Sequence, residues 1–139
     1  MEVAGPGALA AFRAPGGHVT CLPAWDAALV SVETVARVAE QLLAAGCVYL
    51  CAWGPDCERV HDIFDEVIVG DGSQTPDDDA IVMTSWHAAQ SLDDALWFLL
   101  HCANPADRYA QSCRSAVAIV VGEEAGWRGT VRRALSHPG

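Results

Sequence analysis

The chain has 139 residues, of which 52% are hydrophobic and 19% charged. That supplies one core of ordinary size and excludes both disorder and a coiled coil. Eight basic residues, all arginine, stand against eighteen acidic ones for a net charge of −10; without lysine there is no Schiff base and no Walker-type phosphate lysine, and the acidic balance argues against nucleic acid or a membrane as partner.

Residues 1–17 are small side chains broken by Gly and Pro, with neither the basic nor the apolar stretch of a signal peptide. They are expected to form a loosely ordered arm, leaving residues 18–139 as a single α/β domain in the cytoplasm. Residues 18–22 (HVTCL) read as a first strand. Residues 31–45 read as a helix, with Ser31 as its cap, Val35, Val38, Ala39 and Leu42 on one face, and Gly46 at its end. Residues 47–52 (CVYLCA) form a buried strand closed by Trp53-Gly54-Pro55. Residues 56–67 return to helical spacing through Val60, Ile63, Phe64 and Val67. Residues 66–69 fit a short edge strand as well as a helix end. After the polar loop GDGSQTPDDD comes a strand at 80–84 (AIVMT).

Ser91 and Asp94 resemble a capping box for a helix over 91–103, which Asn104-Pro105 stops. Residues 116–121 (AVAIVV) form the most apolar strand. Residues 127–136 close the chain as a helix with Arg132 and Arg133 in its final turn, where they favour the dipole. Strands alternating with helices predict a small doubly wound, Rossmann-like, mostly parallel sheet of 4–5 strands with helices on both faces. Continuous apolar strands fit, because parallel strands are covered on both sides.

Six cysteines, at 21, 47, 51, 57, 102 and 113, are expected to be free thiols. Cys47 and Cys51 lie four apart on one strand, which places both on the same face. Cys51, Cys57 and His61 have the spacing C-x5-C-x3-H, which matches no zinc knuckle, so no metal is expected. Asp77-Asp78-Asp79 lacks the Gly and the final Glu of a calcium loop. Gly122, Gly126 and Gly129 imitate a dinucleotide loop, but Glu123 and Glu124 would repel the pyrophosphate and no cofactor is expected.

A doubly wound sheet binds ligands outside the carboxyl ends of its strands. The residues following each strand are Trp25 and Asp26; Trp53, Asp56, Cys57 and Glu58; Ser85, Trp86 and His87; and Glu123, Glu124 and Trp127. Four tryptophans and several carboxylates at one edge are either plugs and helix-dipole partners or the walls of a binding site. Cys57 is a candidate nucleophile in the first turn of a helix with His61 at i+4, although it also falls on the apolar face. His87 is a candidate base, with Glu123 as a charge-setting group.

In the helix over 91–103, Trp97, Phe98 and Leu100 carry the apolar surface beyond one face, which predicts a homodimer through that helix. Two functions remain. One is an interaction or regulatory module whose edge takes a protein partner or a small molecule. The other is a small hydrolase or transferase using that same edge.

Overall fold

The computed structural model describes residues 2–4, 15–70, 81–121 and 125–136. Five strands, β1 (Glu2–Ala4), β2 (His18–Trp25), β3 (Cys47–Ala52), β4 (Met83–Trp86) and β5 (Cys113–Val121), form one sheet in the order β1-β5-β2-β3-β4. Every neighbouring pair is parallel. The helices are α1 (Val32–Ala44), α2 (Cys57–Val69), α3 (Leu92–His101) and α4 (Ala125–Ser136).

The side-chain pattern explains the layering. Ser31 caps α1 by accepting the Thr34 amide, and Val35, Val38, Ala39 and Leu42 turn inward as their spacing predicts. They join Val60, Ile63 and Phe64 of α2 in a core on one face of the sheet. Leu92, Ala95, Leu96 and Leu99 of α3 and Val131 of α4 build the second core on the opposite face. The domain is therefore doubly wound, and β3 is buried along its whole length. No helix among the described residues is long and apolar enough to cross a membrane.

Several boundaries depart from the sequence reading. Three residues of the expected N-terminal arm, Glu2–Ala4, add an edge strand against Ala118–Val120 of β5. Strand β2 runs three residues past Leu22, through Pro23, to Trp25. Proline has no N–H for a ladder, and the pairing with β3 breaks there: it stops at Cys21↔Leu50 and resumes only at a single bridge, Ala24↔Trp53. The β5 side of the strand stays paired from Thr20 to Trp25.

Strand β4 starts at Met83 rather than residue 80, so Ser85 and Trp86 lie within it. Strand β5 starts at Cys113 and α4 at Ala125, each earlier than predicted. Residues 66–69 complete α2 and do not form a strand. The acidic run at 77–79 lies outside the described residues.

Cys47 and Cys51 do not share a face. Val19 pairs with Cys47 while the next residue, Thr20, pairs with Tyr49, so Val48 is an extra residue in β3. That bulge shifts the alternation by one. Cys47 joins the α1/α2 core beside Cys21, and Cys51 joins the α3/α4 core. All six cysteines are free. Burial, reinforced by the neighbouring Cys47 thiol, raises the Cys21 pKa. Burial also pushes the Cys51 thiol up to about 12.

A candidate ligand-binding cleft at the carboxyl edge

Strand β3 leads into α2 on one face and β4 leads into α3 on the other, as their separate cores require. Where adjacent strands send their chains to opposite faces, a crevice opens beyond their carboxyl ends. Here it is an open cleft of about 540 Å³. Trp53, Gly54, Pro55, Asp56, Cys57 and Glu58 form the β3 side, His87, Ala88 and Gln90 the β4 side, and Trp127 of α4 closes one end. The volume falls in the range of about 300–1,000 Å³ usual for small-molecule sites.

The β3 side is held by backbone contacts. Trp25 N–H donates to Trp53 O at 3.1 Å and Ala27 N–H to Pro55 O at 3.1 Å. This close approach demands glycine at 54, where φ is +118° and a Cβ would sit 2.1 Å from Trp25 O. Arg59 locks the neighbouring loop, donating to Ala27 O at 3.1 Å and Val30 O at 2.6 Å. It also lies 3.6 Å from the Asp56 carboxylate. Asp56 itself is left-handed (φ 63°), a conformation that costs an L-residue about 1–2 kcal/mol. The turn thereby directs this exposed acidic residue to the cleft rim.

Trp53 and Trp127 meet edge to face, with centroids 5.0 Å apart at 82°. The Trp53 indole N–H donates to Gln90 O at 2.8 Å, which ties the β3 loop to the turn before α3. Both rings are half-buried.

His87 is buried against Phe98, with ring centroids 4.7 Å apart. Its Nδ1 is 2.6 Å from Gln90 Oε1, an acceptor, so Nδ1 carries the proton. Its Nε2 then accepts from the Ser85 hydroxyl at 2.9 Å. The neighbouring Ser85 hydroxyl holds down part of the rise that burial causes in the Tyr49 and Cys51 pKa values. The hydroxyl therefore belongs to a network under α3 and is not among the groups lining the cleft.

The remaining candidates divide cleanly. Cys57 touches the cleft but is 2% exposed and packs in the α1/α2 core. His61, one turn on, is engaged elsewhere: Nδ1 with Asp62 at 2.9 Å, Nε2 with Thr84 at 3.0 Å, and its ring with Trp86 at 4.6 Å. Trp86 is thus on the α2 side of β4, outside the cleft. Trp25 is a core plug, and Asp26 caps its own turn by accepting the Ala28 amide. Glu123 and Glu124 lie outside the described residues. Of the three side chains predicted to carry a dimer, Phe98 packs on Tyr49 and Leu100 is half-buried, whereas Trp97 is 60% exposed. Gln90, which serves both His87 and Trp53, escaped the sequence reading because no spacing rule marks a glutamine three residues beyond a histidine.

Fold and cleft together define a small doubly wound α/β domain with an aromatic-walled cleft at its carboxyl edge. Residues 3–137 match the family model described as a domain of unknown function (DUF7684), and the chain belongs to that family. No curated protein and no solved structure matches it.

Proposed function

We propose that the chain is a non-catalytic interaction or regulatory module that seats its ligand in the cleft between β3 and β4. One observation carries this reading: the cleft is concave and walled by Trp53 and Trp127, while the groups near it that do chemistry are committed to structure. Both His87 ring nitrogens are hydrogen-bonded and the Cys57 thiol is in the core. Six free thiols suit a reducing, cytoplasmic setting.

The hydrolase reading keeps one specific support. Ser85, His87 and Gln90 are ordered as hydroxyl, imidazole and acceptor, as in a proton relay. Against it, Gln90 brings no negative charge to stabilise an imidazolium, and Ser85 faces Tyr49 and Cys51.

A thermal-shift screen of small metabolites and capped peptides separates the two. A ligand at a hundredfold excess over its Kd stabilises by about 2.7 kcal/mol, and that gain is expected to vanish in Trp127→Leu. Hydrolysis of activated esters that disappears in both Ser85→Ala and His87→Gln would overturn the binding module in favour of the enzyme.

A further inference from the structure

The charge and chemistry of the lining narrow the ligand. Among the described residues of the cleft, Asp56 and Glu58 are carboxylates, no arginine is present, and the His87 imidazole is engaged by Ser85 and Gln90. Arg59, a neighbouring cation, donates to the carbonyls of Ala27 and Val30 and lies 3.6 Å from Asp56, so it offsets part of that carboxylate's charge, while Glu58 is exposed at the rim. A parallel sheet usually offers anions the positive ends of its helices at this edge. Two of those ends carry carboxylates in their own first turns, Glu58 in α2 and Asp93 and Asp94 in α3, whereas α4, which brings Trp127 to the cleft, has none in its first turn. At α2 and α3 the half-unit of positive charge is outweighed by full negative charges, and the chain as a whole stands at −10.

The polar edge of Trp53 is spent on Gln90 O, and the Trp53–Trp127 pair leaves indole surface on the cleft wall. Indole faces attract cations and apolar stems alike. An anion would meet carboxylates and π-faces; a cation meets favourable partners on both sides.

We infer that the cleft selects an organic cation, an ammonium or guanidinium on an apolar stem, seated against Trp53 and Trp127 with its charge toward Asp56 and Glu58. This rests on the cleft being the ligand seat. The same chemistry is offered by a free amine and by an arginine side chain of a partner protein.

Two isosteric pairs test it by intrinsic tryptophan fluorescence and calorimetry on the intact chain. Phenethylamine against phenethyl alcohol represents the free ligand, and acetyl-Phe-Arg-amide against its citrulline counterpart represents the partner side chain. In at least one pair the cation should bind about tenfold tighter than its neutral isostere, which is about 1.4 kcal/mol. The preference should shrink as salt rises, a measurement that needs no variant. It should fall severalfold in Asp56→Asn and in Glu58→Gln; Asn tolerates the left-handed backbone at 56. The pair that shows the preference identifies the source.

Neutral isosteres binding as tightly as the cations would overturn cation selectivity while leaving the cleft a binding site. Silence from all four probes would overturn it too, whereas the binding-module reading falls only if the broader metabolite screen is also silent.

Discussion

Replacing Trp53 by Phe tests whether the cleft wall also clamps the β3 loop to the turn before α3 and to helix α4. The substitution removes the N–H that reaches Gln90 O at 2.8 Å. Gln90 is exposed, so its carbonyl recovers water and the loss sits near the lower end of the usual 0.5–1.5 kcal/mol, at about 0.5. The smaller ring also forfeits much of the edge-to-face contact with Trp127, worth about 0.5–1.5 kcal/mol beyond area burial. Together these predict a destabilisation of about 1–2 kcal/mol, read as a lower urea midpoint at unchanged slope. Trp127→Leu and the double variant complete a cycle, in which the coupling between the two sites should be about 0.5–1.5 kcal/mol. Additivity of the two changes within about 0.3–0.5 kcal/mol would refute the clamp, since that is how independent sites behave.

Arg59→Met should destabilise by about 1.5–3 kcal/mol, because charged donors to the Ala27 and Val30 carbonyls are lost. Arg59→Lys should rescue little, since an ammonium cannot reproduce the fork; wild-type stability in that variant would count against the geometry. In a thiol-reagent assay Cys102 and Cys113, which are partly exposed, should react before the four buried cysteines, and uniform reactivity of all six would contradict the core assignment. The Cys51 thiol, at about 12 in the fold against an ordinary 9.0, favours the folded state most fully below pH 9. That contribution is lost as pH rises from about 9 toward 12, so urea midpoints should fall on this limb and Cys51→Ala should flatten it. We also propose weak self-association through Trp97. One such side chain per copy gains about 1.5–3 kcal/mol, short of the roughly 8.2 that a 1 μM dimer needs. Sedimentation should therefore show dimer only well above micromolar concentration, and none in Trp97→Glu; a tight dimer that survives this change would refute the contact.

What the sequence disclosed follows from the strength of its local signals. Strand β3 and helix α1 were legible almost to the residue, because a continuous apolar run and a serine cap with 3.6-residue spacing are unambiguous. Strand β4 was misplaced because it is an edge strand: MTSW is only partly covered, so it lacks the apolar run that Ala80 to Thr84 presents. Pro23 disguised the second half of β2, since a proline in a central strand is tolerated only where the ladder gives way, and only pairing reveals that. The facing of Cys47 depended on one extra residue in its own strand, Val48, which only the pairing with β2 shows. The cleft's aromatic and acidic members were predictable from strand ends. The removal of Trp25 and Trp86 to other surroundings was not, because side-chain direction is decided by α2 and the core.

The two outer strands are the shortest in the sheet, 3 residues in β1 and 4 in β4, while the 9-residue β5 and 8-residue β2 lie inside. At about 3.3 Å per residue an approaching foreign strand finds only about 10–13 Å of open backbone on either side. The segment most suited to cross-β stacking, AVAIVV in β5, has its Ala118, Ile119 and Val120 capped by Glu2, Val3 and Ala4. Peeling of that three-residue strand uncovers the hazardous edge, so the tendency to form fibrils should be governed by the first few residues of the chain rather than by its large surface charge. Trimming them should shorten the lag before aggregation without touching the cleft.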